Sequence, residues 1–182
     1  INDDSEYLDS IEEKQSLSIN SIKVAKEIDL DPNSNSFREP ISSYKTITTL
    51  DKTIIKEIDY YPDFYIWFSV NTESMDFNKT IEFTETNKDE ELKVLNPASL
   101  RLIVSCNDNI ISEWDYQINA KTPRWREWIN IDLTELDTKL IIGQWNIQIV
   151  DKNNNNILET RKFTFNKELN IDEVKQTAEF IN

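Results

Sequence analysis

The segment Pro123-Arg124-Trp125-Arg126-Glu127-Trp128 concentrates two guanidinium groups, two indoles and a carboxylate in six residues. Guanidinium planes stack on indole faces and fork onto carboxylates. Such a segment is suited to bracing a sheet, gripping a protein surface or offering a flat face to a sugar. On an extended strand Arg124, Arg126 and Trp128 share one face, and Trp125, Glu127 and Ile129 share the other. The two tryptophans therefore point opposite ways. One belongs to the core, and the other is free to brace the sheet or meet a ligand. Arg124, Trp125, Arg126 and Trp128 are the candidate ligand or partner contacts.

Other chemistry is excluded by what is missing. The chain has no His, one Cys (Cys106) and one Gly (Gly143). This removes Ser-His-Asp and Cys-His triads, His-ligated and Cys-ligated metals, an intramolecular disulfide framework and any Gly-rich phosphate loop. Asp151-Lys152-Asn153-Asn154-Asn155 imitates the start of a calcium loop. The turn position holds Asn156 instead of Gly, however, and the closing position holds Lys162 instead of a bidentate Glu. A hairpin turn is expected there, and no metal site is assigned. Glu113 and Asp115 flank Trp114, but with 34 Asp and Glu in the chain close carboxylates are inevitable and carry no weight for glycosidase chemistry. The commonest general base at neutral pH is absent. No catalytic residue and no cofactor is expected, and an enzyme accessory domain or atypical acid hydrolase ranks last among the functional classes.

The 182 residues include 20 Lys and Arg, for a net charge of -14. Such a field repels phosphate backbones and anionic head groups. The longest basic stretch is 121–126, too short to track a phosphate backbone, so nucleic acid is not an expected partner. No apolar run is long enough for a membrane-spanning helix. Asn78-Lys79-Thr80 fits a glycosylation acceptor, a match that chance supplies in an Asn-rich chain. The chain begins with Ile1, which suggests a processed chain or a fragment. Cys106 lies on the apolar face of its run and is expected to be buried and inert.

Positioning these residues falls to short strands. Residues 1–19 form an acidic N-terminal extension or linker, rich in Asp and Glu up to Glu13. Residues 20–166 form the domain, with a first strand over 18–28, a turn cluster at 31–36 and one or two strands in 44–58. Phe64-Tyr65-Ile66-Trp67-Phe68-Ser69-Val70 reads as a strand buried on both faces. Residues 80–86 alternate, and 87–91 read as a charged loop. Runs 98–106 and 110–118, joined by Asn107-Asp108-Asn109, read as a β-hairpin. Trp114, Tyr116 and Ile118 share its apolar face. Another run spans 124–133. Gly143 precedes strict alternation of Trp145, Ile147 and Ile149 with Gln144, Asn146 and Gln148, and a return strand runs over 157–165. Trp67, Trp114 and Trp145 are expected in the core. In 167–182 the period changes. Ile171, Val174, Ala178 and Ile181 recur at three and four, which predicts an amphipathic helix over 170–182, capped by Asn170, that buries its edge on the module or on a partner. Seven to nine strands with turns every eight to twelve residues predict an all-β fold, an antiparallel immunoglobulin-like sandwich with an acidic N-terminal extension and a short C-terminal helix.

Several quoted pieces together resemble a family. They are Arg38-Glu39-Pro40, Trp114-Asp115-Tyr116, Pro123 to Trp128, the run Gly143 to Asp151, Ile157-Leu158 and Phe163-Thr164-Phe165. Over about residues 20–166 the chain resembles the bacterial family catalogued as domain of unknown function 2914. Ser112-Glu113 replace that family's His-Arg pair, and Asn156 stands where its hairpin glycine is usual. The resemblance implies a bacterial β-sandwich module, often tethered outside the cytoplasm, and no reaction. The expected function is a non-catalytic protein-interaction or scaffolding module in an envelope-associated assembly, with a cytoplasmic location as the alternative. The partners would be other proteins. The second class is a carbohydrate-binding module whose exposed Trp face takes a glycan.

Overall fold

The computed structural model describes residues 17–50, 64–77, 79–83, 90–94, 97–133, 142–168 and 179–181. The strands are β1 (Ser18–Ile28), β2 (Pro40–Leu50), β3 (Phe64–Asn71), β4 (Lys79–Phe83), β5 (Glu90–Val94), β6 (Ala98–Cys106), β7 (Asn109–Ile118), β8 (Trp125–Ile131), β9 (Gly143–Asp151), β10 (Ile157–Glu168) and β11 (Glu179–Ile181). No helix occurs among the described residues. The expected first strand, the hairpin across Asn107-Asp108 and the return strand after the Asp151 turn are all present. Strand β5 begins inside the stretch expected as a charged loop.

Eight strands form one hydrogen-bonded path, β7-β6-β9-β10-β2-β1-β3-β8, to which β11 adds on β2, while β4 and β5 pair separately. The path turns over at β2. Its first residues pair antiparallel with β1, Ile41 opposite Glu27, and its later residues run parallel to β10, Ile47 opposite Phe165. The arm β1-β3-β8 thereby faces the arm β10-β9-β6-β7. Phe64 on β3 has no ladder to β9 or β10, yet its ring meets Trp145 edge-on at 5.5 Å and lies 6.1 Å from Phe163 and 6.2 Å from Phe165. Phe68 meets Tyr116 edge-on at 5.2 Å. The described residues therefore form an all-β sandwich.

Period-two alternation accounts for the core. In β6, Ala98, Leu100, Leu102, Val104 and Cys106 are buried and the intervening residues are half-buried. In β9, Trp145, Ile147 and Ile149 are buried and meet β6 through Cys106, Val104 and Leu102. Strand β3 is buried on both faces, as its apolar run predicts. Phe64, Ile66, Phe68 and Val70 enter the core, and Trp67 and Ser69 are buried on the outer face. Thr72 ends the strand in a buried lock: its hydroxyl donates to Ala120 O at 2.7 Å and accepts from Thr122 N at 2.9 Å. Cys106 is a buried free thiol, and burial pushes its pKa up.

Two expectations are corrected. Trp114 is not core, for it is 59% exposed. It shares a pleat with buried Tyr116 and Ile118 and sits opposite buried Leu102, but among the described strands β7 is the last of its arm, and the cover reaching Tyr116 stops short of Trp114. The helix expected over 170–182 is corrected at its end. Glu179–Ile181 is strand β11, with Phe180 opposite Tyr44 and Ile181 opposite Ser43. Ladder bonds on the edge of β2 satisfy this backbone, whereas a short isolated helix is marginal. Ile171, Val174 and Ala178 lie outside the described residues, as do residues 1–16 of the acidic extension.

Candidate functional site

The segment 124–128 and the distant Arg38-Glu39 meet on the outer face of β1-β3-β8. The connection from β1 to β2 folds back over that face. Its neck is closed by Asp29 N donating to Glu39 O at 2.9 Å and Arg38 N donating to Asp29 O at 2.6 Å. The Asp29 carboxylate stiffens the turn, accepting from Asp31 N and from the Ser36 hydroxyl. Hydrogen bonds from Ser34, Ser36 and then Asp31 N hold its pKa below the ordinary value. Arg38 takes a left-handed backbone, φ 66°, which a non-glycine residue keeps only when its surroundings fix it.

Those surroundings are the candidate residues. The Arg38 guanidinium lies over the Trp128 ring, 4.8 Å from its centroid, and donates to Arg126 O at 3.0 Å. Arg38 O accepts from the Trp67 indole N–H at 2.9 Å. Glu39 accepts from Arg124 at 2.6 Å and from Arg126 at 2.9 Å, and Arg126 also donates to Phe37 O. Trp67 and Trp128 are directly opposite across β3 and β8. Trp125 points the other way, is half-buried against the core and donates to Glu127 at 2.9 Å. The opposite orientation of the two tryptophans thus follows the strand periodicity. Arg124, Arg126 and Trp128 bind the 29–39 connection onto the sheet, and neither Trp125 nor Trp128 presents an uncovered ring.

The uncovered ring belongs to Trp114. Strand β7 ladders only with β6 among the described residues. Val104 faces Ser112 and Ser105 faces Ile110, so Ile111 is an extra residue that bulges the strand near its turn. Beyond the bulge, residues 112–118 run in regular register. Ile110 at 62% exposure and Trp114 are both apolar and uncovered on this strand. Arg101, Glu113, Trp114 and Asp115 line an open concavity of about 370 Å³. Arg101 grips Asp115 in a fork, at 2.8 Å and 3.2 Å, and lies 3.8 Å from Glu113. Lys152, brought in by the β9–β10 turn, donates to Asp115 at 2.8 Å. The hydrogen bonds from Arg101 and Lys152 hold the Asp115 carboxyl far below the ordinary carboxylate range.

The Asp151 turn is a self-capped hairpin. Asp151 accepts from Asn153 N through its carboxylate and from Asn155 N through its carbonyl, and the left-handed residue of the turn is Asn155 at φ 60°, one before the Asn156 that replaces the expected glycine. Alternation within one strand put Trp114 with the core. Its exposure depends on which strand ends the arm, and that is a property of the pairing order. The signal present in the sequence was the pair of carboxylates flanking it. No family model matches this chain, and no curated protein matches it.

Proposed function

We propose that this chain is a non-catalytic, immunoglobulin-like interaction module that binds a protein partner along the open edge of β7. The observation that carries the reading is the exposure of Trp114 and Ile110 on a strand with one side unladdered among the described residues. Natural sheets blunt edges with bulges and charges; the bulge at Ile111 blunts β7 only near its turn, residues 112–118 keep regular register, and the large exposed apolar side chains on the strand mark a contact surface. The strand order supports the fold name: β10-β9-β6-β7 corresponds to G-F-C-C′ and β1-β3-β8 to A-B-E. The envelope setting and the bacterial source rest on the resemblance of residues 20–166 to domain of unknown function 2914. A non-catalytic role is supported by the chemistry of the side chains. Asp115 is held by two cations, and Cys106 is buried with a raised pKa.

A second reading has its own support. Trp114 beside a concavity with Glu113 and Asp115 offers a stacking face and hydroxyl acceptors to a glycan. One experiment separates the two. Tagged wild-type protein, Trp114→Asp and Trp128→Ala are purified from the native source, and the same proteins are applied to a glycan array. An interaction module loses its co-purifying protein in Trp114→Asp and keeps it in any folded Trp128→Ala. Glycan binding that disappears in Trp114→Asp, with no protein partner retained by wild type, replaces the leading reading with the second.

A further inference from the structure

The charge pattern around β7 specifies the kind of segment that fits its edge. Rows of like-facing side chains cross the sheet from β6 to β7. Arg101 on β6 sits directly opposite Asp115 on β7 and is within 3.8 Å of Glu113. The next position outward in each of these rows is empty among the described strands. Asn109–Ile118 itself contains Glu113 and Asp115 and no Lys or Arg. Arg101 and Lys152 already hold Asp115 at 2.8 Å, whereas Glu113 is met by Arg101 only at 3.8 Å. A strand added outside β7 therefore meets a loosely paired carboxylate at Glu113, with Trp114 next to it on the opposite face. Opposite charges on adjacent strands stabilise a sheet, and like charges directly opposite destabilise it.

A second copy of this chain does not satisfy that edge. Antiparallel pairing through Trp114 would set the carboxylates of one β7 against those of the other, and each copy brings a net charge of -14. The other outer strand, β8, is a poorer template. Its residues are mostly half-buried, and none of its large apolar side chains is exposed.

We infer that the edge of β7 takes an extended basic segment of a partner protein by strand addition, with Lys or Arg facing Glu113 and an apolar side chain at the next position facing Trp114. This rests on the interaction reading above and names the partner's chemistry. Main-chain ladder bonds would supply affinity, and the alternating side chains would supply selectivity.

Synthetic nine-residue peptides provide the probe. One alternates Lys and Val, one alternates Glu and Val, and one carries Pro at the centre of the Lys-Val sequence. Binding to the full chain is read by titration calorimetry, with amide exchange of residues 109–118 as the site-specific readout. The Lys-Val peptide should bind and slow exchange in β7, and the Glu-Val and Pro-containing peptides should not. Glu113→Lys should weaken the Lys-Val peptide at least about tenfold and allow the Glu-Val peptide to bind. If that variant does not fold, Glu113→Gln should still weaken the Lys-Val peptide. Absence of Lys-Val binding, equal binding of the Lys and Glu peptides, or protection outside β7 overturns the inference. A native partner lost in Trp114→Asp but unaffected by Glu113→Gln also overturns it, while leaving the interaction reading standing.

Discussion

Trp67 donates its indole N–H to the carbonyl oxygen of Arg38 at 2.9 Å. The ring is fully buried although it faces away from the core. The bond ties a strand residue to the last turn of the β1–β2 connection, and the Arg38 guanidinium continues the contact onto Trp128. The outer face of β1-β3-β8 is therefore closed by its own chain, while the exposed pair Ile110 and Trp114 lies at the other end of the sheet path.

Glu39 should be the anchor of that closure. It holds Arg124 and Arg126 together, and the Glu39 side chain is only 19% exposed. Glu39→Gln should destabilise the fold by about 1–3 kcal/mol, because a half-buried guanidinium loses its charged acceptor. Urea melts of wild type and variant measure this, and the difference should shrink as salt is raised. Equal stability would show that the connection holds without the ion pairs.

Trp145 has no exposed surface and packs edge-on to Phe64 at 5.5 Å and near Phe165 at 5.9 Å. Trp145→Ala should cost about 3–5 kcal/mol, measured by chemical unfolding. A cost below about 1 kcal/mol would mean that the two arms do not close on this ring.

Much of this was legible in the sequence, for local reasons. The alternation of Trp145, Ile147 and Ile149, the two-faced burial of β3 and the hairpin across Asn107 all follow from side-chain period. What period does not encode is the order of strands. Trp114 and Tyr116 share a pleat, yet only Tyr116 is covered, because β7 ends its arm among the described strands. The meeting of Arg38-Glu39 with Arg124-Arg126 spans more than 80 residues of chain and leaves no local pattern. The apolar spacing of Ile171 to Ile181 predicted a helix, while at Ile181 the edge of β2 sets the backbone instead.

Asp115 gives stability an acid dependence. Its folded pKa lies below its ordinary value of 3.8 because Arg101 and then Lys152 hydrogen-bond the carboxylate. A depressed folded pKa means that the stabilisation is fully present above the unfolded pKa and is lost as pH falls toward the folded value. The stability advantage of wild type over Asp115→Asn should be flat between about pH 5 and pH 7 and should shrink below about pH 4. An advantage that grows on acidification would reverse the sign and refute the ion-pair assignment.

Gly143 takes φ 129°, and a Cβ there would run into the Asn107 carboxamide, which itself donates to Ile142 O. Gly143→Ala should destabilise by about 1–3 kcal/mol from backbone strain and contact together. Asn107→Ala alone loses the bond to Ile142 O and strains a residue at φ 49°, so the cost of Gly143→Ala is read within that background, where it should fall by the contact part only. No cost of Gly143→Ala in the Asn107→Ala background would show that the φ value carries none.

Photocrosslinking from position 112 tests the open edge most directly. A photoreactive residue replaces Ser112 on β7, and a control replaces exposed Thr160 on β10, in protein expressed in its native cells. An interaction edge should give one predominant protein adduct from position 112, none from position 160, and loss of that adduct when Trp114→Asp is added. No adduct from position 112, or the same adduct from both positions regardless of Trp114, would contradict the role assigned to β7.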